Sequence, residues 1–278
     1  MLMLNKIIFS CSTILFLSSS AIAETGNKLP TIDTHIHYSH DAWDFLPPPQ
    51  AVEVLKKAGL KKAFVSSSSD NGTQLLYKED PELIVPVLRP YRKRGETASW
   101  MYDETVITMV KDLLEKNTYA GIGEFHAFGE DIELPVLQSM IEFAKEYKIF
   151  LHAHSDSDAI DRIFTHNPNA VVLWAHSGFE SPGEIRIMLE KYDNLWADLA
   201  FRSNHARDGK VDKEWETLFT DFPGRFMIGT DTFTPERWYF VIEHAEWSRS
   251  WIESLPNELA NNIAYANAEA LLAASKLQ

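Results

Sequence analysis

The sequence predicts an α/β protein, a (β/α)8 TIM barrel with an extra C-terminal helix. Three observations predict it. Short apolar runs alternate eight times with amphipathic segments, the order that builds a parallel sheet with helices packed outside it. The turn after the first run holds Asp33-Thr34-His35-Ile36-His37, where an open doubly wound sheet would usually carry a Gly-rich phosphate turn. Finally, a leader of 23 residues leaves 255 of the 278, a common length for one such barrel.

The leader comes first. Lys6 precedes a mostly apolar run from Ile7 to Leu17, and small residues end in Ala21-Ile22-Ala23. That order reads as a secretory signal peptide over residues 1–23, with the barrel domain over 24–278. The run is too short to span a bilayer comfortably, so no membrane anchor is expected after cleavage; a retained N-terminal anchor is the alternative. Cys11, the one cysteine, falls inside the leader. The mature chain can therefore form neither a disulfide nor a thiolate zinc site. Export without cysteine fits a bacterial periplasm. The whole chain carries 26 basic and 40 acidic residues, a net charge of −14, and loss of Lys6 makes it −15. Such a surface argues against non-specific nucleic-acid binding, which needs clustered Lys and Arg.

The elements follow in order. Strands are expected at Thr31–His37, Lys62–Ser67, Leu83–Leu88, Ala120–Phe125, Ile149–His154, Ala170–Ala175, Leu195–Leu199 and Phe226–Gly229. Between them lie helical segments: Gln50–Gly59, which ends on a Gly stop signal, Gly72–Lys78, Asp103–Lys116, Leu134–Tyr147, Asp158–Phe164, Ser181–Tyr192 and Lys213–Phe219. In the third, Val106, Val110, Leu113 and Leu114 share one face. The sixth opens on Ser-Pro, a helix start. Glu236–Ser254 is the eighth helix and Glu258–Ala274 the extra one. No linker divides the chain.

The chemistry lies where these strands end. Strand one closes on His35-Ile36-His37, and side chains two apart on a strand face the same way. Both imidazoles can then point into the barrel mouth. Strand four ends at Glu124, strand five in His152-Ala153-His154, strand six at His176 and strand eight at Asp231. In this fold the C-terminal strand ends form the catalytic face. One His-x-His alone is weak evidence. Five strand ends bearing imidazole or carboxylate, brought together by a barrel, predict a divalent metal site. This donor set suits Zn²⁺ and similar ions.

On these motifs the chain resembles the amidohydrolase superfamily, over essentially all of the sequence after the leader. That family pattern is His-x-His on strand one, Lys or Glu on strand four, single His residues on strands five and six, and Asp on strand eight; each term is matched. Glu124, in place of a carbamylated Lys, resembles the TatD-like and phosphotriesterase-like branches, in which it bridges two metals. The run from Ala144-Lys145-Glu146-Tyr147 to His154-Ser155 is similar to the TatD-like strand five. Aligned so, His154 is the ligand and His152 lies below it; both face one side, so His152 stays an alternative. Val171 to Phe179 and Asn267-Ala268-Glu269-Ala270-Leu271-Leu272 look like the amidohydrolase-related branch that includes decarboxylases. The sequence straddles branches, and no substrate carries over.

The resemblance implies metal-assisted hydrolysis of an amide, ester, lactone or phosphoester by one or two Zn²⁺ ions. The ligands would be His35, His37, Glu124, His154, His176 and Asp231. A bound cation lowers the pKa of water from 15.7 to about 7. Asp231 would take the water's proton and pass it to the leaving group. Asp33 would brace the site rather than bind metal. The alternatives are a metal-dependent decarboxylase, a TatD-like nuclease and a non-catalytic metal-binding barrel. Loops after the strands set specificity. Basic residues concentrate in two of them, Arg89 to Arg94 and Arg202 to Arg207. Arg89 and Arg202 are the candidates to pair with an anionic group on a small substrate. Tyr38, His40, Trp43 and Phe45 form either an aromatic wall over the pocket or a structural cover.

Overall fold

Every residue of the first strand, β1 (Thr31–Ile36), is buried, as expected for a strand covered by helices outside and filled by side chains inside. This computed structural model describes residues 28–276; the expected signal peptide lies outside them. After β1 come β2 (Leu60–Val65), β3 (Ile84–Leu88), β4 (Gly121–His126), β5 (Phe150–His154), β6 (Val172–Trp174), β7 (Leu195–Asp198) and an eighth barrel strand, Phe226–Met227. They pair in that order, all parallel. The sheet closes because Thr34 N donates to Ile228 O and His37 N to Thr232 O, both at 3.0 Å. The (β/α)8 barrel predicted from the sequence is the fold.

The outer helices are α1 (Pro48–Lys57), α2 (Asn71–Glu79), α3 (Thr105–Lys116), α4 (Pro135–Tyr147), α5 (Ser157–His166), α6 (Pro182–Lys191) and α7 (Lys213–Asp221). Prolines at the first turns of α1, α4 and α6 supply the φ a helix start needs. Asp156 caps α5, accepting from Ala159 N at 2.9 Å. The main core fills the layer between these helices and the strands. A second cluster sits inside, joining Ile32, Phe64, Phe150, Leu173 and Met227 to Ala268 and Leu271. Ile32 and Phe150 lie at the starts of their strands, so the C-terminal helix packs against the end opposite the His and Asp rim.

Three stretches differ from expectation. The eighth helix is split into α8 (Pro235–Trp238) and α9 (Val241–Ile252). Its first turn is docked on the rim: Arg237 donates to the carbonyls of Asp231 and Thr230 at 2.7 and 2.6 Å, and Trp238 Nε1 to His37 O at 3.2 Å. Phe240, at φ −112° and ψ 9°, breaks the helix there. The last helix comes as α10 (Asn257–Asn261), a π turn (Asn262–Ala266) and α11 (Asn267–Lys276). Asn267 Nδ2 holds the widened turn against the carbonyls of Pro223 and Phe226, at 2.9 and 2.7 Å. A small hairpin, Ala206–Arg207 with Lys210–Val211, stands where a loop was expected. Its Asp208-Gly209 corner has φ of 52° and 71°, the geometry that this dipeptide favours. Among the described residues no helix is long and apolar enough to cross a membrane.

Candidate metal centre

Five of the predicted ligands, His37, Glu124, His154, His176 and Asp231, line one cavity of about 450 Å³, and His35 lies buried against them. His35 and His37 come from β1, Glu124 from β4 and His154 from β5. His176 follows β6 in a turn whose residues His176, Ser177, Gly178 and Phe179 all have positive φ. This tight left-handed run turns the imidazole into the cavity. Glycine is needed at 178: a Cβ there would lie 2.3 Å from the Trp174 ring. Asp231, at φ 48°, follows the eighth strand. Gly229 just before it lets this strand approach β1, since a Cβ would lie 2.7 Å from that of His35.

Hydrogen bonds fix which imidazole nitrogen faces the centre. His37 Nδ1 donates to Ser66 O at 2.5 Å and His176 Nδ1 to Ala200 O at 2.8 Å. His35 Nδ1 donates to Asp198 Oδ2 at 3.1 Å. Each ring then turns a bare Nε2 inward. His35 Nε2 and His37 Nε2 are buried with no hydrogen-bond partner. They face Glu124 Oε2 at 3.5 and 3.3 Å and Asp231 Oδ1 at 3.6 and 3.4 Å. Lone pairs facing carboxylates in a dry site repel unless a positive charge lies between them. The same excess of negative charge bears on the ionisation of these groups. Burial pulls the His35 pKa down, yet the carboxylates of Glu124, Asp198 and Asp231 outweigh it and hold it well above the usual value. Burial pushes Glu124 and Asp231 up, but His35 and their other neighbours hold both below the usual carboxylate range.

Glu124 lies between two pairs of imidazoles. Its Oε2 faces His35 and His37, while its Oε1 meets His154 Nδ1 at 2.8 Å and His176 Nε2 at 3.4 Å. Ligand atoms of His35, His37 and Asp231 all lie within 4.8 Å of one another, as do those of His35, Glu124 and His176. Two imidazoles with two carboxylate oxygens on one side, and two imidazoles with one on the other, fit divalent cations in number and chemistry.

His152 lies deeper. Its Nε2 is 3.0 Å from Asp198 Oδ2, and burial pushes its pKa down to about 4. The structure thus separates the two strand-five histidines: His154 faces the cavity and His152 faces Asp198. Asp198 itself has no counterpart among the predicted residues. It lies on β7, fully buried, and accepts from His35, His152 and the backbone amides of His176 and Ala200 at 2.8–3.1 Å. An acid ending a predicted strand was the available signal. Asp33 accepts from His35 N, Thr230 N and Thr230 Oγ1 at 2.7–3.0 Å, tying β1 to the eighth strand end.

Arg89 reaches the cavity floor, with Nη2 2.7 Å from Glu124 Oε2 and Nε 3.1 Å from its carbonyl. Arg202 does not line the cavity. Its guanidinium turns inward to the carbonyls of His176 and Glu180 at 3.0 and 2.8 Å, over the Trp215 ring. It supports the His176 turn from behind, which corrects its assignment as a substrate contact. The aromatic residues after β1 form a cover: Tyr38 is fully buried and Trp43 and Phe45 pack against its cluster. The cavity's own aromatic wall is Tyr91, Phe179, Phe201 and Phe233. His126, two residues beyond Glu124 on β4, also lines it; the same two-residue spacing that flagged His35 and His37 points to it.

No protein-family model matches the chain, and no curated protein matches it in sequence. Solved structures do share the fold. A TIM-barrel protein of Bordetella bronchiseptica superposes with a TM-score of 0.59 at 16% identity, covering 89% of this chain and 100% of that one. A probable 2-pyrone-4,6-dicarboxylic acid hydrolase of Acinetobacter baumannii gives 0.58 at 11% identity, covering 87% and 99%. A β-aspartyl dipeptidase of Fervidobacterium islandicum gives 0.55 at 13% identity, covering 88% of this chain and 72% of that one.

Proposed function

We propose that this chain is a metal-dependent hydrolase of the amidohydrolase superfamily, acting on an amide, ester, lactone or phosphoester of a small substrate. The observation that carries the reading is Glu124, with each carboxylate oxygen turned to a different pair of imidazoles and Asp231 beside one pair. That arrangement suits two cations sharing a carboxylate, and two favour hydrolysis over decarboxylation. The probable hydrolase and the dipeptidase among the structures of similar fold agree with it.

His35, His37 and Asp231 would hold one cation, His154 and His176 the other, with Glu124 between them. Zinc fits this set of nitrogen and oxygen donors. A divalent cation there supplies Lewis acidity and makes water nucleophilic at neutral pH. The rest falls to the chain. Asp231 lines the cavity and is held in place by Arg237 on its carbonyl; it takes a proton from the attacking water and returns it to the leaving group. Asp198 and the carbonyls of Ser66 and Ala200 keep the three imidazoles in the right tautomer. Arg89, beside Glu124 on the floor, is placed to pair with an anionic part of the substrate. The acidic surface, at −14, argues against a nucleic-acid substrate. Export to a periplasm, after loss of residues 1–23, completes the reading.

The test is elemental analysis of purified protein followed by a panel of esters, lactones, amides and phosphoesters. Two zinc ions per chain and turnover of one class are expected. Asp231→Asn should keep most of the metal while kcat falls by roughly 10²–10⁴-fold. A protein that takes up no divalent metal sinks the reading. One ion per chain with release of CO₂ from a carboxylic acid would replace it with decarboxylation.

A further inference from the structure

We propose that His126 is a substrate contact, a neutral imidazole that keeps its proton on Nε2 and offers that N–H to the acyl or phosphoryl oxygen of the bound substrate. The identity of the oxygen rests on the hydrolase reading; the position of the proton does not.

The argument starts from Tyr91. It is 1% exposed, its ring packed at a tilt against Trp100 and beneath the Arg89 guanidinium. Its hydroxyl meets His126 twice: 2.7 Å to the backbone N and 2.8 Å to Nδ1. A backbone amide can only donate, so the phenol oxygen accepts there. The one hydroxyl proton then needs an acceptor, and among the described residues Nδ1 is the acceptor in reach. Nδ1 therefore carries the lone pair, and the neutral ring carries its proton on Nε2.

Two consequences follow. First, His126 is no metal ligand, although Glu124, His126 and His154 offer ligand atoms within 4.8 Å of one another. One nitrogen is occupied by the phenol and the other bears hydrogen. Second, Nε2–H makes no hydrogen bond to the described residues, while the ring forms part of the cavity wall, stacked on His154 with centroids 4.1 Å apart. A rigid donor beside the candidate cation site, with no protein acceptor, matches what a developing oxyanion needs. Tyr91 is the positioning residue that sets the tautomer.

The proton can be located without a substrate, by long-range ¹H–¹⁵N correlations on metal-free protein labelled with [¹⁵N]histidine. His126→Gln identifies the His126 signals by their disappearance. The Nε2–H form is expected in the wild type, with Nδ1–H gaining population in Tyr91→Phe. Zinc is then added, and inorganic phosphate serves as an oxyanion probe in calorimetry. His126→Leu should keep the zinc stoichiometry and bind phosphate about tenfold more weakly or worse. His126→Gln, which still presents an N–H near the Nε2 position, should stay within about threefold of wild type. An Nδ1–H form in the wild type, loss of the Nε2 proton on adding zinc, or equal phosphate affinity in His126→Leu would each overturn the proposal. Failure of the hydrolase reading shows separately, as absence of zinc uptake by the wild type.

Discussion

Asp198 holds four groups of the centre together. One oxygen takes two imidazoles and the other two backbone amides, all in a fully buried position. Burial raises its pKa, yet His35 and its other partners hold it well below the usual carboxylate range. In Asp198→Asn an NH₂ replaces one of those acceptors and faces donors. We expect zinc affinity to fall by roughly 10–100-fold in chelator competition, as for other groups that orient metal-binding histidines. Unchanged affinity would show that Asp198 only fills space. A second residue gives a pH signature away from the centre. Asp70 is buried, accepts from Tyr119 Oη at 2.6 Å and leaves Oδ1 without a partner. Burial pushes its pKa up from 3.8 to about 6. Between these values the folded protein holds a proton that the unfolded chain releases, so stability falls as pH rises. The loss reaches at most about 3 kcal/mol. Asp33, raised to about 6 by burial, contributes with the same sign, so the contrast between variants isolates Asp70. Urea denaturation from pH 4 to 6.5 should show a flatter profile for Asp70→Asn than for wild type; parallel profiles would refute this.

At the scale of elements, the turn from Ala175 to Phe179 does the most to shape the site. A regular helix after β6 would carry His176 away from the axis; the run of positive φ turns it inward instead. Gly178→Ala combines a left-handed backbone with a Cβ 2.3 Å from Trp174. Its cost should be about 2–4 kcal/mol in unfolding free energy, together with weaker zinc binding because His176 moves. A variant with wild-type stability and zinc affinity would mean the turn can relax without disturbing the imidazole. Periodicity in the sequence located all eight strand–helix units. It could not see the break in the eighth helix, because Trp238 binds the carbonyl of His37 on the rim, from a remote part of the chain. The Asp208-Gly209 hairpin was legible as a turn dipeptide and was missed.

At the scale of the whole molecule, the barrel separates stability from chemistry by its two ends. Leu271 of the C-terminal helix is fully buried in the cluster with Ile32 and Phe150, which start strands whose other ends bear His35, His37 and His154. Leu271→Ala should cost about 2–5 kcal/mol in chemical denaturation, with zinc stoichiometry unchanged at a temperature where the protein stays folded. Loss of zinc from fully folded Leu271→Ala protein would show the two ends to be coupled.

The sequence alone determined the barrel and the residue types at its rim. Both are local signals: hydrophobic period sets strand or helix, and a residue's place at a strand end sets which rim it occupies. His35, His37, Glu124, His154, His176 and Asp231 were legible in this way. Tertiary structure decided the partners and the directions. His35 meets Asp198 across 163 residues of chain, and only closure of the sheet puts them side by side. The same closure turns Arg202 inward to the carbonyls behind His176 and separates His154 from His152. A side chain's rotamer and hydrogen-bond partner depend on what packs against it, and no local pattern carries that information.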